Sequence, residues 1–226
     1  MMQRVINIVE AAKDTFRGDL EQLADRGGMT EEVYIRYLSF QYHLTKRVQN
    51  HFLRAAAAPT LAGRRSLRDF LYRFALEEEP HFDIARHDLE NMGAEPLPCP
   101  LDVKLWWAYF DGIVDDRPFV RLGATCVLEN LGAGAGDLGH QLLDNAPFLN
   151  KSNTRFLEIH FHEELPHGDQ IYAAIDAVKL SDSEVDDLAE GASTGATLYL
   201  RMARWATQLP KLANQFDPHA LETLPA

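Results

Sequence analysis

Apolar residues recur along nearly the whole chain at intervals of three and four, the spacing of one face of an α-helix. Sustained alternation of β-branched residues is missing, and no Asn-Gly or Asp-Gly turn between such runs marks a hairpin. The pattern predicts about seven helices. The first covers about Gln3 to Ala24 and stops at Gly27-Gly28. Thr30 caps a second that reaches about Ala57, and Ser66 caps a third that ends at Met92-Gly93. Ala94 to Pro100 holds Pro96, Pro98 and Pro100 and makes a rigid, non-helical connection. A fourth helix follows from Asp102 to about Val114, a fifth from Pro118 to about Leu143, and a sixth from Asn150 to Val178 with Pro166 inside it. Ser181 and Glu184 form a capping box that opens a seventh, ending near Leu209-Pro210. The tail to Ala226 has marginal helical character. No repeat is visible and the proline stretch is too short to be a linker, so residues 1–226 are expected to form a single all-α domain.

Some of these apolar stripes contain residues that do not belong in a core. In the third helix, Leu67, Phe70, Leu71 and Phe74 lead into Glu78 and His81. In the fifth, Glu129 shares a face with Phe119, Leu122 and Cys126. In the sixth, His160, Glu164 and His167 interrupt a stripe that continues through Ile171 and Ile175, and all three project within about 40° of one line. A buried carboxylate costs several kcal/mol unless something compensates its charge. Buried salt bridges are the ordinary compensation, yet these stripes show no inward Lys or Arg. A bound dication supplies the missing charge. Two E-x-x-H pairs on separate helices, with further carboxylates, are the pattern of dinuclear iron or manganese sites in helical bundles. The i, i+3 spacing sets a hard oxygen beside an imidazole. Glu77, at i−4 from His81, is an alternative to Glu78. Each pair has a proline just before its histidine, Pro80 and Pro166, which predicts a kink that opens room for metal and ligand.

The remaining candidates carry less. His87, His162 and His43 fall among charged neighbours and are expected to face solvent. Gly134-x-Gly136-x-x-Gly139 follows a helix instead of a strand, so it is no dinucleotide fingerprint; those glycines, with Gly191 and Gly195, are expected to let helices approach closely. Cys126 has no base in its own segment to activate it and is expected to be a buried structural thiol.

Composition removes whole classes of function. Acidic residues outnumber basic ones 34 to 22, a net charge of −12, so a nucleic acid partner is not expected. Two distant cysteines suit a reducing compartment. The first residues lack the apolar core of a signal peptide and no uncharged run reaches membrane length, so neither a membrane partner nor export is expected, and the location follows as cytoplasmic.

A ferritin-like site needs one more inward glutamate ahead of the first E-x-x-H, and the stripe there reads Tyr34, Leu38, Gln41, Val48, Phe52. The order Glu78-x-x-His81, Glu129, His160-x-x-x-Glu164-x-x-His167 instead resembles the haem-oxygenase-like dimetal oxidases, also called iron-containing redox enzymes. Asp88-Leu89-Glu90-Asn91-Met92-Gly93 and Phe156-Leu157 flank the motifs as in that family, and the resemblance spans about Thr30 to Tyr199. It implies a haem-oxygenase-like helical bundle and two Fe(II) per chain; the extra rotatable bond of Glu164 predicts that the metal held by the sixth helix is the weaker of the two. The ligands would be Glu78, His81, Glu129, His160, Glu164 and His167. It further implies O2 as co-substrate, oxidation or cleavage of a small amine, acid or amino-acid-like substrate, and a homodimer. Inward Phe74, Leu122 and Ile171 would exclude water. The family usually has aspartate where this chain has Glu164. Other branches of the superfamily fit less well. Haem oxygenases carry a proximal histidine early in the first helix, and the first histidine here is His43; the thiaminase-like branch places a tyrosine four residues after its cysteine, where Cys126 has Asn130. A cofactor-free enzyme like pyrroloquinoline-quinone synthase, and a non-catalytic metal-binding helical protein, stay open as alternatives.

Overall fold

The computed structural model describes residues 2–161 and 167–208, and every regular element among them is helical. The chain runs α1 (Gln3–Asp25), α2 (Glu31–Thr45), α3 (Val48–Ala57), α4 (Arg65–Glu78), α5 (His81–Asn91), α6 (Leu101–Asp111), α7 (Pro118–Leu131), α8 (Gly136–Asp144), α9 (Arg155–Phe161), α10 (His167–Asp176) and α11 (Asp182–Thr207), with two short 3-10 turns at Pro59–Leu61 and Gly132–Gly134. The all-α expectation holds, with eleven α-helices among the described residues where about seven are predicted. Four of the predicted helices are each broken in two.

Two breaks have an evident chemical cause. Pro80 lacks an N–H, so α4 ends at Glu78 and α5 begins at His81: the chain turns here instead of kinking within one helix. The glycines after Leu131 divide α7 from α8, with Gly136 at a φ of +47°. The break between α2 and α3 at Lys46-Arg47 has no proline or glycine to announce it. In the sixth predicted helix, α9 and α10 flank residues 162–166, which carry Pro166, Glu164 and His162 and lie outside the described residues. The tail after Gln208 lies outside them too.

The caps divide the same way. The Thr30 hydroxyl accepts the Val33 N–H at 3.2 Å, and Ser181 and Glu184 close the full capping box. Ser66 does not cap α4, which starts one residue earlier from an uncapped Arg64. Gly27 and Gly28 end α1 with φ of +110° and +76°.

One large apolar core joins α1, α3, α4, α6, α7, α10, α11 and, through Phe40 and Leu44, α2; a smaller one joins α2, α5 and α9 around Tyr34, Leu38, Ala85, Leu89 and Phe156. Helix α7 is central: every residue from Pro118 to Val127 is buried. Its closest partner is α11. A methyl group at Gly191 would overlap the Val120 carbonyl, and one at Gly123 would overlap the Leu188 carbonyl, so the two backbones touch where side chains normally stand. No helix among the described residues is long and apolar enough to cross a membrane.

The α7–α11 contact is directly testable. Gly191→Ala should lower the urea-unfolding free energy by about 2 kcal/mol or more, because neither backbone can yield cheaply. Gly18→Ala, in the open middle of α1 with nothing nearby, should raise it by up to about 1 kcal/mol. Equal responses would mean the two helices are not in backbone contact.

Candidate metal centre

Five helices converge on one buried acidic spot. Glu78 is the last residue of α4, His81 the first of α5 and His167 the first of α10, while Glu129 stands near the end of α7 and His160 near the end of α9. The turn at Glu79-Pro80 brings His81 Nδ1 to 2.9 Å from Glu78 Oε2. His167 Nδ1 lies 3.3 Å from Glu78 Oε1 and 3.4 Å from Glu129 Oε2. Ligand atoms of Glu78, Glu129 and His167 all fall within 4.8 Å of one another, a volume that one metal ion fits. Burial is nearly complete: Glu78 is 5%, His81 6% and His167 9% exposed.

Glu78 is the hub. Its two oxygens face two different histidines, Oε2 toward His81 and Oε1 toward His167, as in a carboxylate that can bridge two cations. The His160 ring lies 5.0 Å from the His81 ring, while Glu129 faces His167. His160 is exposed, and its Nδ1–H donates to the Phe156 carbonyl at 2.6 Å, which leaves Nε2 as the ring's lone-pair nitrogen. Glu77 is half exposed and touches His167 Nε2 from outside at 3.6 Å, so Glu78 is the inward member of that pair. Of the six residues predicted from sequence, five gather here; the sixth, Glu164, lies outside the described residues.

Local packing explains the convergence. Gly168 seats the start of α10 against Asn130 of α7, where any side chain would strike the Asn130 amide, so His167 is held beside Glu129. Phe74 stands edge-on to the His167 ring, centroids 4.8 Å apart, and walls one side. Asp88, which flanks the first motif in the sequence, serves as a positioning group: its carboxylate accepts the Phe156 N–H at 2.8 Å and so anchors the start of α9, which carries His160. Asn91 donates to the Ser152 carbonyl and holds the preceding loop. His87 is exposed as expected; His43 instead bonds the Leu97 carbonyl at 2.8 Å and ties down the proline stretch. Cys126 is fully buried, and burial pushes its thiol pKa up, in keeping with a structural role.

The electrostatics are those of a cation site filled by protons. Burial disfavours charge on His167, but Glu129 and Glu78 outweigh it and hold its proton up to about 10. His81 is raised in the same way by Glu78 against its burial. Glu78, buried as it is, is drawn down to about 2 by His167 and His81, whereas burial and the Glu78 charge push Glu129 up. The geometry is nevertheless poor for protons: buried His81 Nδ1 makes no hydrogen bond although Glu78 Oε2 is 2.9 Å away. Two atoms set close without a hydrogen between them in line are what two ligands of one ion look like, and a Glu/His donor set of this kind suits divalent iron or manganese.

One buried charge escaped the sequence pattern. Arg121 on α7 is 0% exposed, which corrects the expectation that no inward cation exists. The stripes assume a helix with a solvent face, and α7 has none along this stretch, so a residue off the Phe119–Leu122–Cys126 line is buried too.

No protein-family model matches the chain, and no curated protein does. Solved structures do. A domain of unknown function with a haem-oxygenase-like fold from Shewanella denitrificans superposes with a TM-score of 0.76 at 18% identity, covering 95% of this chain and 96% of that one. A CADD-like protein of unknown function from Nostoc punctiforme gives 0.66 at 14% identity, over 92% and 98%. The chain therefore has the haem-oxygenase-like fold.

The raised His167 sets a pH signature for the metal-free protein. A group whose folded pKa exceeds its unfolded value of about 6.5 contributes stability that is complete below that pH and lost as pH rises toward 10. The stability gap between wild type and His167→Gln should therefore shrink from pH 6 to pH 10 in metal-free urea titrations. A gap independent of pH would mean that His167 holds no such proton.

Proposed function

We propose that the protein is a non-haem diiron oxidase that uses O2 to oxidise or cleave a small organic substrate. The observation that carries this reading is the buried cluster itself: three carboxylate and imidazole ligands from three helices within 4.8 Å, joined by His81 at 2.9 Å from a carboxylate whose other oxygen faces His167. The haem-oxygenase-like fold is consistent with it and supplies no chemistry by itself.

Glu78, His81, Glu129, His160 and His167 would hold the two irons; Glu164, between His160 and His167 in the chain, is assigned as the sixth ligand by resemblance. When bound, the iron pair supplies the electrons for O2 reduction and open positions for the reactants. Glu78 and Glu129 offset the cationic charge in a site with little water to do so. His81 and His167 must be neutral to ligate, so loading the centre releases the protons they hold in the metal-free form. Phe74, Leu122 and Ile171, all buried, keep water from the reacting atoms.

Anaerobic Fe(II) addition should bring the metal content close to two per chain, and O2 should then raise a transient visible absorption. His81→Ala and His167→Ala should lower the metal content, and His87→Ala should leave it alone. Glu164→Gln should remove one iron by deleting its charge. Full loading in His81→Ala, His167→Ala and Glu164→Gln would mean that these three residues are not ligands, and a chain that takes up no iron would sink the reading altogether.

A further inference from the structure

Arg121 is oddly placed for a structural cation. Its Nη1 donates to the Thr125 hydroxyl at 2.7 Å, but Nε and Nη2 are buried with no hydrogen-bond partner among the described residues. The guanidinium carbon lies 4.9 Å from the Phe52 ring centroid, 5.6 Å from Trp106 and 5.7 Å from Phe110. Those three rings are at most 1% exposed, so the charge sits in packed aromatic core. The ring faces offset part of its desolvation but bring no countercharge. Glu129 and Glu78 supply that through space. Burial draws the Arg121 pKa down to about 10 against their pull, which leaves the guanidinium charged at neutral pH.

The position of this charge relative to the metal centre is set in two directions. Along α7, Arg121, Thr125 and Glu129 follow at i, i+4 and i+8, and the bond to Thr125 holds the guanidinium about 6 Å of helix rise before Glu129. Across the core, the Phe52 ring lies 4.9 Å from the Phe74 ring, which lies 4.8 Å from the His167 ring. Two phenyl rings thus connect the face under the guanidinium to a candidate ligand histidine. Buried hydrocarbon screens charge far less than water does, and dissolved ions do not enter it.

We infer that Arg121 is a built-in cation that tunes the metal centre, lowering its affinity for divalent ions and holding a loaded iron pair in the divalent state. The signs follow from the charges. Glu78 and Glu129 attract cations to the centre, and Arg121 opposes them from a fixed place nearby. Every further positive charge is resisted, whether it arrives as a second ion or arises when Fe(II) becomes Fe(III). A residue kept for packing alone has no need of the charge, since a long apolar side chain in its place is commonly neutral or stabilising. This inference rests on the reading in the preceding subsection for the identity of the metal, and on the placement of Arg121 for the direction of the effect.

The test titrates Mn(II), and Fe(II) without O2, into the metal-free full chain of wild type and Arg121→Met. At an effective dielectric near 20, removing a unit charge roughly 10 Å from a dication should tighten its binding about tenfold or more. The reduction potential of the loaded iron should fall in the same variant. The sign is diagnostic: losing a side chain that only supports the fold loosens the ligands and weakens binding. Because the charge is buried, the affinity ratio between the two proteins should persist from about 50 mM to about 0.5 M salt. Arg121→Gln, neutral but still an N–H donor, serves if Arg121→Met does not fold. Equal or weaker metal binding in a folded neutral variant, or a ratio that salt abolishes, overturns the inference and leaves the oxidase reading standing. Uptake by the neutral variant with none by wild type upholds the opposing cation and defeats the oxidase reading. No uptake by either defeats both.

Discussion

The backbone contact between α7 and α11 is the constraint from which the interior follows. Because Gly123 and Gly191 remove the side chains that would hold the helices apart, α11 lies flush against α7. With the remaining sides covered by the helices of the large core, the first ten residues of α7 have no route to solvent. Any charge on that stretch is then a buried charge. Arg121 and, toward the helix end, Glu129 are therefore consequences of one packing decision: α7 carries them into a region where each must be matched by a partner.

Matching is uneven, and the unevenness points to ligands. Around Glu78 and Glu129 the countercharge comes from histidines that take up protons, a solution available only in the absence of a metal, since a proton and a cation compete for the same lone pair. Around Arg121 the countercharge acts through space, from Glu129 and Glu78, while Thr125 accepts one of its hydrogens. The centre near Glu129 suits a cation, and the Arg121 guanidinium lies about one helical turn away. Neither arrangement is the choice a protein makes for stability alone, because replacing unpaired buried charge with apolar side chains is commonly neutral or stabilising. The polar interior is costly to maintain, and it is arranged along one helix.

Much of this was legible in the sequence. The fold class was, since a helical period needs no tertiary information. So were Glu78, His81, Glu129 and His167, each an ionisable group on an otherwise apolar stripe, and the close approach of helices at Gly191 and Gly195. What stayed hidden depends on context. The Lys46-Arg47 break involves residues that are ordinary helix formers, so only packing can interrupt the helix there. Asp88 reads in the sequence only as a residue flanking the first motif, and its duty to the Phe156 N–H spans 68 positions. Arg121 was missed because stripe analysis takes for granted a wet face. The cue available was the run from Phe119 to Val127, which contains one charge among apolar and small residues and so reads as a helix buried all round.

Pro80 sets part of the geometry of the centre. In an unbroken helix, residues three apart point along one face and their ligand atoms approach only by side-chain reach. Ending α4 at Glu78 and restarting at His81 frees the backbone between them to turn, and the imidazole returns to 2.9 Å from the carboxylate. His167 likewise opens a helix, and Gly168 holds that helix against α7 beside Glu129. Two histidines at helix starts, facing a carboxylate at a helix end, place three ligands on backbone ends that long rigid helices position and none of them interrupts. The site asks of the scaffold chiefly where helices begin and stop.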